Sequence, residues 1–135
     1  MIIVVCVDES NGVLFNKRRV SSDRIVTEKI CELAQGGRIF MSPYSEKLFP
    51  SEMNITARED YLAVAGSGDV CFVETDGSLA YAGVAEKLVV FKWNRRYPSD
   101  VQFPLEQYQK HMRLTAVCEF PGYSHDKITQ EVYAL

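Results

Sequence analysis

The apolar positions of this chain fall into short runs separated by polar punctuation, and three of the runs are continuous rather than alternating. Met1 to Val7 is an unbroken, β-branched stretch closed by Asp8, Glu9, Ser10, Asn11 and Gly12, the pattern of a strand buried on both faces and followed by a turn. Lys87 to Trp93 is the second such run, and Val70 to Val73, entered through Gly66-Ser67-Gly68-Asp69, is a shorter third. Helical spacing appears instead at Val26, Ile30 and Leu33, where Ser21 or Ser22 supplies an N-cap and Gly36-Gly37 a stop.

The segments between these landmarks predict further elements. Arg38 to Met41 reads as a short strand, and Ser42-Pro43 as the cap and first-turn proline of a helix through Phe49, closed by Pro50. Met53 to Thr56 predicts a strand, Ala57 to Ala65 and Ser78 to Ala85 helices, and Asn94 to Pro104 a loop. His111 to Phe120 and Lys127 to Tyr133 predict an antiparallel hairpin turning through Pro121 to Asp126, with Met112, Leu114, Ala116 and Cys118 as its apolar face. Alternation of strand and helix as far as Trp93 implies a mostly parallel central sheet in a three-layer α/β/α arrangement, the hairpin adding antiparallel strands at one side.

Composition narrows the class of protein. With 135 residues, 47% of them hydrophobic, the chain is expected to form one domain over 1–135 that needs neither metal nor disulfide. Its net charge of −3 gives no global attraction to nucleic acid or anionic lipid. No apolar run approaches the roughly 18 residues of a membrane helix, and acids rather than a cleavage site follow the apolar start, so the expectation is a cytoplasmic protein with no membrane partner. Cys6, Cys31, Cys71 and Cys118 are scattered among apolar neighbours and are expected to be buried free thiols.

The apolar first strand, Val7-Asp8 and Asn11-Gly12 at its end, a long loop, and a helix opening with Asp23 resemble the start of dihydrofolate reductase. The far end is similar too: the strand Lys87 to Trp93, then Asp100-Val101-Gln102-Phe103-Pro104, a strand ending Glu119-Phe120, and a turn bearing His125. The resemblance covers nearly the whole chain and implies a dihydrofolate reductase-like fold. The chain also resembles a group of short bacterial proteins that go under the name ribonuclease Z. That zinc nuclease family uses an HxHxDH motif, whereas this chain has only His111 and His125, so no metal site is expected.

The resemblance assigns roles that the residues fill unevenly. Asp23 stands where the family has the carboxylate that helps protonate the substrate, a role that burial favours by raising a carboxyl pKa; helix capping is the competing reading. On the cofactor side, the family's glycine-arginine pair corresponds to Ser42 and Pro43, with Tyr44 and Ser45 following, and its adjacent glycines correspond to Glu74-Thr75-Asp76-Gly77. Ser42, Tyr44, Ser45 and Thr75 are thus the candidate cofactor-binding positions. The phosphate-gripping arginine is missing, proline removes a backbone N–H, and carboxylates stand where a diphosphate would lie, repelling it by roughly 1 kcal/mol in water and about 4 kcal/mol at an effective dielectric near 20 for charges about 4 Å apart. Glu52 to Ile55 offers no arginine for the glutamate of a folate, and Arg58 falls in the next predicted helix. No bound cofactor is expected, and NADPH enters only under a reductase reading.

A second constellation is basic. Lys17, Arg18 and Arg19 lie in the first long loop; Lys92, Trp93, Asn94, Arg95, Arg96 and Tyr97 lie at the late strand and its loop. The resemblance makes these loops neighbours, and cations beside aromatic rings suit a phosphate, a nucleotide or single-stranded nucleic acid. Three functions follow: a module binding a small anionic molecule or nucleotide, with nucleic acid less favoured; a divergent NADPH-dependent reductase of a pterin-like substrate using Asp23; and a structural domain that forms homo-oligomers. The first is preferred.

Overall fold

The computed structural model describes residues 1–75 and 77–135. Its central sheet has seven strands in the order β5-β4-β6-β1-β7-β10-β9, where β1 is Ile2–Val7, β4 Ile39–Met41, β5 Ile55–Ala57, β6 Val70–Val73, β7 Lys87–Lys92, β9 Arg113–Phe120 and β10 Ile128–Ala134. β1 is parallel to β6 and to β7, Ile2 lying opposite both Val70 and Lys87, and β4 is parallel to β5 and β6. β10 runs antiparallel to β7 and to β9. The mostly parallel sheet with its antiparallel hairpin is therefore as the apolar runs implied.

Both faces of the middle of the sheet are buried, which is why β1, β6 and β7 are continuous rather than alternating in sequence. Ile3, Val5, Val7, Leu88 and Val90 point to a core shared with Tyr61, Leu105 and Tyr108. Val4, Val89, Phe91 and Trp93 point to the other, shared with Val26 and Ile30 of helix α1, Arg24–Leu33. Helices α2, Pro43–Glu46, α3, Tyr61–Val64, and α4, Leu105–Gln109, are short. Ser78–Tyr81 is a single 3-10 turn, and Gly77 before it has φ of 95°.

A small second sheet was not foreseen. β2, Gly12–Phe15, pairs with β3, Arg18–Arg19, on one side and with β8, Val101–Gln102, on the other. Asn16 and Lys17, with φ of 48° and 64°, form the two-residue turn between β2 and β3, and both positive values belong to the hairpin turn that matches strand twist. Asn-Lys lacks the glycine that usually announces this turn, so the hairpin is hidden in what reads as a polar loop.

Other expectations are corrected. Helix α1 is capped by Asp23, whose carboxylate accepts from the Ile25 N–H at 2.9 Å, not by Ser21 or Ser22. The helices read at Pro43 to Phe49, Ala57 to Ala65 and Ser78 to Ala85 are reduced to single turns, too short to sustain many i to i−4 bonds. β9 is an edge strand that is largely exposed: Leu114 and Val117 are 47% and 52% exposed, and of the apolar side read for it Met112 alone is buried, while Phe120 at the strand's far end packs edge-to-face on Phe91. Cys118 on that strand is exposed, Cys71 is buried, Cys6 and Cys31 are half-buried, and all four thiols are free. No helix among the described residues is long and apolar enough to cross a membrane.

Phe72 is buried and meets Phe49 edge-to-face, ring centroids 5.3 Å apart. Phe72→Ala is expected to cost about 3–5 kcal/mol, read as a lower urea midpoint with an unchanged slope.

Candidate functional site

The chain leaves β1 for β4 on one side of the sheet and later crosses to β7 on the other, so β1, β4 and β6 end together at the point where strand order reverses. In open α/β sheets the carboxyl ends of strands at such a point frame the ligand crevice. The residues that follow the three strand ends are Asp8, Ser42 and Glu74, and all are buried. A carboxylate there demands donors or a cation, and each acid on this edge has acquired a different set.

Glu74 is held by Arg19, whose Nε and Nη2 donate to its two carboxylate oxygens at 2.8 and 3.0 Å. Ser45 Oγ donates to the same carboxylate at 2.8 Å and lies 3.3 Å from Ser42 Oγ. Arg19 lies with its guanidinium 4.7 Å from the Tyr44 ring centroid, and its backbone N–H donates to the Tyr44 hydroxyl at 2.9 Å. The bonds to Glu74 raise the Arg19 pKa above its ordinary value. Cys6, near the end of β1, has its thiol pushed well up, first by burial and then by the charge of Glu74. The crevice is thus bridged by the protein's own side chains, β3 to β6 to α2. Thr75, one residue further on, exchanges a hydrogen bond with the Tyr61 hydroxyl at 2.9 Å. Asp76 lies outside the described residues.

Asp23 is the most heavily bonded acid. Besides Ile25, it accepts from the backbone N–H groups of Tyr123 and Ser124 at 3.0 and 2.9 Å, from Ser124 Oγ at 3.2 Å and from His125 Nδ1 at 2.9 Å. Burial pushes its carboxyl up, but the Tyr123 and Ser124 amides, His125 and Ile25 outweigh that and hold it well below the usual carboxylate range. The raised pKa anticipated for an acid at this position is therefore not found. Gly122 permits the approach: a Cβ there would stand 2.6 Å from Asp23 Oδ2 and 2.7 Å from Ile128 Cδ1.

His125, 6% exposed, belongs to the turn between β9 and β10, and Asp23 rather than the adjacent Asp126 is its carboxylate partner. Its Nε2 lies 2.9 Å from Ser21 Oγ, and the Tyr97 hydroxyl is 3.4 Å from both atoms. The ring stacks on Trp93, with centroids 4.7 Å apart and planes 24° from parallel. The indole Nε1 of Trp93 is buried and has no acceptor among the described residues. Tyr97 is anchored in turn by its N–H donating to Asp8 Oδ2 at 2.9 Å. Asp8 also accepts from Ser10 and from the Gly12 N–H at 2.7 Å. Burial opposes its ionisation, yet those backbone donors bring its pKa below the ordinary value.

The basic loops meet only in part. β2 and β8 join them, and Phe15, Asn16, Arg18, Arg19, Val20, Tyr97 and Pro98 line an open groove of about 550 Å³. Of the cations, Arg18 and Arg19 reach this groove. Lys92 instead pairs with Glu131 at 3.1 Å, Lys17 sits exposed at the hairpin tip, and Arg95 and Arg96 are exposed elsewhere on the loop. Trp93 is covered by His125 and offers no open ring face. Arg58 pairs on the surface with Asp60 at 2.7 Å. The constellation missed in the sequence is the one through His125, because Asp23, Ser21 and Tyr97 are 102, 104 and 28 residues away; the weak signal is a histidine in a turn of a chain whose first helix opens with an aspartate.

Removing one member of the Arg19–Glu74 pair strands the other in a poorly hydrated place. Arg19→Ala is expected to cost on the order of 2 kcal/mol, less than a fully buried pair because Arg19 is partly exposed, and the double variant with Glu74→Leu to cost less than the sum, measured in a double-mutant cycle. Asp8 and Asp23 both have depressed pKa values in the folded state. Their contribution is therefore fully present above the unfolded aspartate value of about 4 and is lost as pH falls below it. The free energy of unfolding should drop through that range, with a shallower acid limb in Asp23→Asn.

No family model matches the chain, and no curated protein matches it in sequence. Among solved structures it is similar to the dihydrofolate reductase of Enterococcus faecalis in complex with NADP(H) and RAB-propyl, with a TM-score of 0.69 at 13% identity over 99% of this chain and 95% of that one. At that identity the likeness speaks for architecture rather than reaction, and the architecture is that of dihydrofolate reductase.

Proposed function

We propose that the chain binds a small anionic molecule of the nucleotide class in the groove between the β2–β3 hairpin and the Tyr97–Pro98 loop, and does not use NADPH. The observation that carries this reading is the groove itself. Its volume falls in the range of small-molecule sites. Arg18 lines it with no carboxylate partner among the described residues, and the rings of Tyr97 and Phe15, the latter 42% exposed, stand on its wall. A planar guanidinium grips phosphate oxygens in pairs, and aromatic faces take a base by stacking. A net charge of −3 and so few cations in the groove favour a small ligand over a nucleic-acid strand.

The residues of the crevice do not fit a dinucleotide. Pro43 has no N–H to offer, Ser45 Oγ is donated to Glu74, and the guanidinium of Arg19 is committed to the same carboxylate. A diphosphate would have to displace that pair and then face the freed anion. The neighbour's NADP(H) thus has no counterpart among the donors this chain leaves available there.

Calorimetric titration of the full chain tests the reading, with ADP and NADPH as probes. ADP is expected to bind, more weakly as salt rises, and Arg18→Ala to weaken it about tenfold, or about 1.4 kcal/mol. NADPH binding tighter than ADP, unaffected by Arg18→Ala and accompanied by dihydrofolate-dependent loss of its absorbance, would establish a reductase instead.

A further inference from the structure

We propose that Ser21, His125 and Asp23 form a nucleophilic site, with Ser21 Oγ the attacking atom and carboxylic esters the substrate class. Val20-Ser21-Ser22-Asp23 leads into α1, so one short segment sends two side chains to opposite nitrogens of one imidazole: Ser21 Oγ to Nε2 and Asp23 Oδ2 to Nδ1, each at 2.9 Å. An ionised Asp23 only accepts, so the proton on His125 belongs on Nδ1 and Nε2 is left to receive the Ser21 proton. The stack on Trp93 fixes the ring plane, and four further bonds fix Asp23. These are the relations a serine needs from its base and the base from its orienting acid.

Access is on the serine side. His125 and Asp23 are buried, whereas Ser21 is half-buried, adjoining Val20 in sequence and Tyr97 in space, both of which line the groove. The backbone N–H of Ser22 meets no acceptor among the described residues and is available to a developing oxyanion. In the reaction, Ser21 Oγ bonds to the ester carbonyl carbon while its proton passes to His125 Nε2. The tetrahedral adduct expels the alcohol, which takes that proton, leaving an acyl-serine. Water activated by His125 then releases the acid and restores the hydroxyl. His125 is the general base, and Asp23 and Tyr97 are positioning residues. An anionic group on the ester is preferred because of Arg18, a point that rests on the groove reading, whereas the nucleophile does not.

The test uses the full chain, a fluorophosphonate probe and two p-nitrophenyl esters, acetate and hemisuccinate. The probe's phosphorus bonds to the nucleophilic oxygen with loss of fluoride, so mass spectrometry should find one adduct on Ser21, absent in Ser21→Ala and absent when the chain is unfolded in urea. Acetate hydrolysis should fall at least 100-fold in Ser21→Ala. His125→Gln should match it, but that variant is open to misfolding; the partly exposed Ser21→Ala, checked for an unchanged thermal midpoint, decides. Hemisuccinate should be favoured over acetate in the parent and not in Arg18→Ala. No adduct on Ser21 in the folded chain, or hydrolysis indifferent to Ser21→Ala, overturns the proposal. Loss of the hemisuccinate preference alone, with Ser21 still labelled, overturns the groove reading and leaves the nucleophile standing.

Discussion

A carboxylate removed from water has to be supplied with donors, and at the carboxyl edge of this sheet three such groups are answered by segments far from them in the chain. Asp8, at the end of β1, receives the N–H of Tyr97; Asp23 receives the turn between β9 and β10; Glu74, at the end of β6, receives Arg19 from β3. Each acid ties a distant segment down, and two of these segments, β3 and the loop bearing Tyr97, border the groove. The shape of this edge is thus set by electrostatic satisfaction more than by apolar packing, which ends at Val7, Met41 and Val73.

That constraint explains how one scaffold holds two unlike features side by side. The Arg19–Glu74–Ser45 bridge spends the cation and hydroxyl that an anion would otherwise meet at the strand ends. The same β3 segment leaves Arg18 facing outward. Both arginines border the groove, but Arg19 is held by Glu74 while Arg18 has no carboxylate partner among the described residues.

The parts of the fold governed by long apolar runs were readable from the residues, since burial on both faces leaves an uninterrupted signal in β1, β6 and β7. The small sheet was not, because its strands are two to four residues long and its turn is Asn16-Lys17 rather than a glycine pair. In the sequence Glu74 is an unpaired charge; its partner Arg19 lies 55 residues away, beyond the reach of a linear inspection. Asp23 is legible at the opening of α1, but the amides of Tyr123 and Ser124 that favour its charged form come from a turn one hundred residues downstream. Polar satisfaction over such separations has no periodicity to betray it, whereas hydrophobic burial does.

The central position of β1 bears on how the chain is made. Ile2 to Val7 is apolar on both faces and pairs with residues 70–73 and 87–92, so during synthesis this segment exists for a long interval before either neighbour has left the ribosome. An uncovered β-branched hexapeptide is a sticky object in that interval. Pairing with β6 covers one edge of β1 once residues 70–73 have emerged, but its other edge stays open until residues 87–92 follow, so the centre of the sheet is closed in two separated steps.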